Sequence, residues 1–160
     1  MSGSSLQLVD ISANSESARI LSFRQSRQTI TEVVETWHPE VIRRLEELIC
    51  LKPGWDGYKG LPVSFENAVF ALRTLEATCR ATTPSPQIVP GASGDLQMEW
   101  HTFHGDVELL VRGPNSVRAW YCLADMDADG EEIELTNDFT TVAEWVKAVT
   151  EPAIAARAAA

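Results

Sequence analysis

Between residues 96 and 111 the apolar residues stop recurring at three- and four-residue steps and begin to alternate, which limits the fold more than any other feature of the chain. Leu96, Met98 and Trp100 alternate with Gln97, Glu99 and His101, and Val107, Leu109 and Val111 alternate with Asp106, Glu108 and Leu110. A period of two sends successive side chains to opposite faces of an extended strand, so both segments read as half-buried strands. Gly105 lies in the turn between them. A loop at 102–105 sets Trp100 opposite Val107, Met98 opposite Leu109 and Leu96 opposite Val111, with all six apolar residues on one side; a slip of one residue would turn one strand's set out to solvent. Gly113-Pro114-Asn115-Ser116 marks a second turn. It predicts a third strand over 117–122, whose register the pattern leaves open, and a fourth over 131–136 with Ile133 and Leu135 inward.

Upstream the period is helical. Thr29-Ile-Thr-Glu32 has the form of a capping box. Ile30, Val33, Val34, Trp37, Val41, Ile42, Leu45, Leu48 and Ile49 then form one apolar stripe. Pro39 removes an amide donor and biases His38 away from helical geometry, which predicts a kink or two helices, 29–37 and 39–50. Glu40 with Arg44, and Arg43 with Glu47, have the spacing of a solvated helix face. Lys52-Pro53-Gly54 stops the run, and Ser64 caps a helix expected over 65–81 with Ala68, Leu72, Leu75 and Cys79 inward. A short helix opens at Thr140 or Thr141 with Val142, Trp145, Val146 and Val149 inward. Helices followed by a run of strands imply an α+β fold, here an antiparallel three- to four-stranded meander with two to four helices packed on one face. The expected organisation is a flexible arm or edge strand at 1–27, a single α+β domain at 28–150 and an Ala-rich tail at 151–160.

Composition then excludes function classes. At 160 residues the chain suits one core. No apolar run approaches the length of a membrane span, and the opening MSGSSLQLVD has neither the basic nor the apolar region of an export signal. Cys50, Cys79 and Cys122 are odd in number and far apart, which fits a reducing, cytoplasmic compartment better than a disulfide framework. The net charge is −10, and residues 95–134 carry ten acids against two bases. Such a balance disfavours direct nucleic acid binding, which needs Lys/Arg clusters on phosphates, and points to a basic partner.

Four features bear on chemistry. Asp125, Asp127, Asp129, Gly130 and Glu131 match the first half of a calcium loop, but its twelfth position is Thr136 instead of glutamate. In the register above, Glu99 faces Glu108 and His101 faces Asp106, with His104 at the turn. Like charges opposite one another destabilise a sheet unless something neutralises them, so this strip reads as a solvated face, a partner-binding face, or a His-carboxylate site. No G-x-S-x-G, phosphate loop or Cys/His pair supports catalysis, and the expectation is a non-enzyme without a cofactor. Finally, Gly54-Trp55-Asp56-Gly57-Tyr58-Lys59-Gly60 holds two aromatic rings in a glycine-rich turn, where Trp55 either plugs a gap or stands with Tyr58 as a binding anchor.

That turn, followed by Pro62-Val-Ser64, a helix, Pro84 to Pro90 and Gly94-Asp-Leu-Gln-Met-Glu-Trp100, resembles a family of small uncharacterised bacterial proteins in which a GWDG turn precedes a Pro-Ser-capped helix and a strand ending in Glu-Trp. The resemblance covers roughly residues 45–112, and the family often has leucine where this chain has Met98. It implies a fold unit and a bacterial or phage origin, and no activity.

The resulting expectation is an acidic protein-binding or inhibitory protein, antitoxin-like or anti-defence-like, that neutralises a basic partner such as a toxin, nuclease or defence effector. The binding residues would be Glu99, Asp106, Glu108, Asp125, Asp127, Asp129, Glu131, Glu132 and Glu134, with Tyr58 and Trp120 as aromatic anchors. The alternative is a small metal-dependent hydrolase or Ca²⁺-stabilised module using His101, His104 and nearby carboxylates. A self-associating subunit, in the simplest case a homodimer, is a third reading.

Overall fold

A computed structural model describes residues 36–125 and 130–151. The capping box at Thr29, the first helix at 29–37, the arm at 1–27 and the tail from 152 onward lie outside the described residues, apart from Thr36 and Trp37. Three helices are described: α1 (His38–Ile49), α2 (Phe65–Thr78) and α3 (Thr140–Thr150). Five strands, β1 (Gln87–Pro90), β2 (Leu96–Thr102), β3 (Gly105–Gly113), β4 (Ser116–Leu123) and β5 (Glu131–Leu135), form one antiparallel sheet in the order β1-β2-β3-β4-β5. No described helix is long and apolar enough to cross a membrane.

The alternation does what it predicts. Leu96 pairs with Val111, Met98 with Leu109 and Trp100 with Val107, and all six are buried on one face. β4 adds Val117, Ala119 and Tyr121 to that face, and β5 packs Ile133 and Leu135 at its margin. The helices close this side: Val41, Leu45 and Leu48 of α1, Ala68, Ala71 and Leu75 of α2, and Val142, Trp145, Val146 and Val149 of α3 join one core. Tyr121 and Trp145 stack at 5.0 Å between sheet and helix.

The sheet has one strand more than expected. β1 hides in the sequence because Pro86 and Pro90 bracket it and only Ile88-Val89 reads as apolar, yet proline is tolerated at strand ends and sheet margins. Ile88 is buried, and the indole N–H of Trp100 donates to the Pro84 carbonyl at 2.9 Å just ahead of β1.

Pro39 begins α1 by lying in its first turn, where a missing amide costs no helical bond. Its stripe is as expected. On its solvent side Arg43 pairs with Glu47 at i,i+4, whereas Arg44 turns to the Ile88 carbonyl at 3.0 Å and to Glu47, not to Glu40. In α2 the buried face is rotated from the expected one: Asn67, Ala68, Ala71, Thr74, Leu75 and Thr78 are buried, while Leu72 and Cys79 are half-buried. Burial of these polar residues is affordable because each is bonded: Asn67 Nδ2 donates to the Gly94 carbonyl at 2.8 Å, and the Thr74 and Thr78 hydroxyls donate one turn back to Phe70 and Thr74. The helix stops at Thr78, short of 81, because the Thr83 hydroxyl takes the Arg80 amide at 2.8 Å into a turn.

The GWDG segment braces this layer. Asp56 Oδ1 accepts from the amides of Tyr58 and Gly60, both at 2.9 Å, and these bonds hold its carboxyl below the usual range. Trp55 is half-buried and its Nε1 donates to the Leu61 carbonyl at 2.9 Å, which closes the loop on itself. The strand-like exit then crosses to the turn before β2, through Leu61 N–H to Ala92 O and Ser64 N–H to Gly94 O. The Ser64 hydroxyl caps α2 on the Asn67 amide as the sequence predicts.

Candidate binding face of the sheet

Side chains that alternate with the core residues form the opposite face of the sheet. In register across the strands, one row runs Val89, Gln97, Leu110, Arg118, Glu134 and the next runs Gln87, Glu99, Glu108, Trp120, Glu132, with His101 and Asp106 paired beyond. None of these residues is buried, and among the described residues no helix packs on this face.

The expected juxtaposition of Glu99 with Glu108 is present, and so is what neutralises it. Gln97 Nε2 donates at 2.9 Å to Glu99 Oε1 and at 2.9 Å to Glu108 Oε2, so one amide holds both carboxylates. Glu99 Oε2 lies 3.1 Å from His101 Nε2, and His101 Nδ1 lies 2.9 Å from Asp106 Oδ1. An imidazole flanked in this way can donate to both neighbours only when doubly protonated. The Asp106 bond first, and the Glu99 bond second, hold its pKa above the ordinary 6.5. Toward β5 the acids are met by guanidinium groups: Arg118 Nε lies 3.1 Å from Glu134 and 3.8 Å from Glu132, and Arg112 also pairs with Glu134.

The face is therefore acidic with its charge fixed in place by partners, which the sequence did not reveal. Five carboxylates, Glu99, Asp106, Glu108, Glu132 and Glu134, share it with two arginines and one histidine. Between them a groove of about 370 Å³ is lined by Gln97, Glu108, Leu110, Arg118, Trp120 and Glu132. The indole of Trp120 is half-buried and set close over residue 130, where a Cβ would come within 2.6 Å of its Nε1.

Of the residues expected in the site, Glu99, Asp106, Glu108, Glu132, Glu134 and Trp120 come together here. Glu131 is opposite Tyr121 and alternates to the other side of β5. Asp125 is exposed past the end of β4, and Asp127 and Asp129 lie outside the described residues. Burial, aided by the charges of Asp125 and Glu131, raises the Tyr121 pKa. Tyr58 stands elsewhere, 87% exposed in the loop between α1 and α2. His104 is exposed at the β2–β3 turn, and among the described residues no group of three or more His, Cys, Asp or Glu could hold a metal ion. Gln97, Leu110, Arg112 and Arg118 are site residues that the sequence reading passed over. Gln97 and Leu110 follow from the β2–β3 register, whereas the arginines needed the register of β4.

Fold and face together define an α+β protein built as an antiparallel meander, with helices on one side and a charged, aromatic-centred surface on the other. Comparison with protein-family models, curated proteins and solved structures returns no match.

Proposed function

We propose that this sheet face is a protein-binding surface and that the chain is a non-enzymatic, acidic inhibitor of a basic protein, antitoxin-like or anti-defence-like, in a bacterial or phage setting and a cytoplasmic compartment. One observation carries the reading: five carboxylates, two of them flanking Trp120, share with the half-buried Trp120 and Leu110 a sheet face that no described helix covers. A half-apolar centre with a charged rim is the anatomy of a protein interface, and a negative rim steers a positive partner and speeds its association. The bonds through Gln97 and His101 add to this by holding the carboxylates ready, so that less side-chain entropy is lost on binding.

The test is capture of bound proteins from a bacterial host at low and high salt by the wild-type protein and by the Glu99→Lys/Glu108→Lys/Glu132→Lys variant, checked for native folding by circular dichroism. The expected result is a stoichiometric basic protein, released by salt and bound at least tenfold more weakly by the variant. A partner whose affinity the triple reversal leaves unchanged, or an empty eluate at low salt, defeats the reading.

A further inference from the structure

The sheet register places something more specific than general acidity at the centre of this face. Trp120 of β4 has Glu108 directly across on β3 and Glu132 directly across on β5, all three on the same side. Neighbouring strands lie about 4.8 Å apart, so one aromatic side chain is flanked on both sides by a carboxylate at close range. Together they line the groove described above, along with Gln97, Leu110 and Arg118.

We propose that this groove is a guanidinium slot, and that an arginine side chain is the anchor by which the partner is held. The inference rests on the protein-binding reading and names the chemistry of the contact. Guanidinium is planar and weakly hydrated, so it can lie on an indole and still offer several N–H donors in its plane to flanking carboxylates; an ammonium is a compact, strongly hydrated point charge. An aromatic surface between two carboxylates therefore suits arginine better than lysine. Among the described residues, the cations other than His101 that pair with this face's acids are both arginines. Arg118, which itself lines the groove, sits 3.1 Å from Glu134 and 3.8 Å from Glu132, and Arg112 reaches the same Glu134. Gln97 occupies only one oxygen of Glu108, Oε2. The groove volume, about 370 Å³, is enough for one long side chain.

The test uses a short arginine-rich peptide and its lysine counterpart of equal length and charge, titrated calorimetrically into the full chain at one ionic strength. Stacking on the indole should make the arginine peptide bind about five- to tenfold more tightly. Trp120→Leu should abolish that preference while leaving weaker, salt-sensitive binding of both peptides. Glu132→Gln, at an exposed position, should reduce the preference without a change in melting temperature, which guards against a misfolded Trp120 variant. Equal affinity for the two peptides, or a preference that survives Trp120→Leu in a folded protein, overturns the slot. If both peptides then still bind and the triple charge reversal weakens both, the acidic-face reading stands without it; if neither binds at low salt, both fall.

Discussion

Gly105 opens β3 where the β2–β3 hairpin presses on β4, and replacing it with alanine tests the packing directly. Its φ is +149°, which side-chain-bearing residues rarely adopt, and a Cβ there would lie 2.3 Å from the Cys122 carbonyl oxygen and 2.9 Å from Leu123 Cα. Both obstacles are backbone atoms of a central strand and cannot rotate away. Backbone strain of this kind costs roughly 1–3 kcal/mol and overpacking a further 1–3 kcal/mol, so Gly105→Ala should lose about 2–6 kcal/mol. Two other glycines separate the contributions. Gly57 has φ +82° and nothing within 4 Å of a Cβ, so Gly57→Ala should lose only about 1–2 kcal/mol from backbone strain. A Cβ on Gly113 also meets nothing within 4 Å, and its φ lies outside the strained range, so Gly113→Ala should stay within about 0.5 kcal/mol of wild type. Urea unfolding is the assay. With a slope of about 2 kcal/mol per molar, the Gly105→Ala midpoint should fall by about 1–3 M and the Gly113→Ala midpoint should barely move. Equal losses in all three variants, or a Gly105→Ala protein as stable as wild type, would refute the account of how the hairpin seats on β4.

His101 should keep its proton above pH 6.5, visible as an imidazole titration midpoint above that value by NMR; because the folded pKa is raised, its contribution to stability is full below about 6.5 and is lost as pH rises through the folded value. Asp106→Asn should bring that midpoint back down, since the Asp106 bond is its largest cause. Gln97→Leu should remove the donor between Glu99 and Glu108 and lower the melting temperature, with the loss shrinking in high salt because it is repulsion between carboxylates; a loss independent of salt would argue against that role.

How much could be read beforehand depended on whether a residue's partner was local. The β2–β3 register follows from alternation together with the short turn, because a one-residue slip would turn one strand's apolar set outward and a longer slip would lengthen the loop around Gly105. The face of α3 follows from Val142, Trp145, Val146 and Val149, all apolar and all buried. The face of α2 does not, because Asn67 is buried on the strength of a carbonyl 27 positions away at Gly94, and Thr74 and Thr78 on bonds to their own helix. Hydropathy takes such residues for solvent. The candidate site divides in the same way. Its acids stand out as a run of charge, but what they do depends on Gln97 reaching two strands' carboxylates and on Arg118 meeting β5, and the second requires a register that Val117–Cys122 does not announce.

Every pairing in the sheet joins strands consecutive in the chain, through connections at 91–95, 103–104, 114–115 and 124–130. Long-range pairing is what slows β proteins, since loop-closure entropy is lost before any contact returns it. Here the sheet can zip outward from the 103–104 turn, each hairpin supplying the template for the next strand. The groove that carries Trp120 is then assembled once β4 and β5 have joined the β2–β3 hairpin, with the helices covering the back of the sheet.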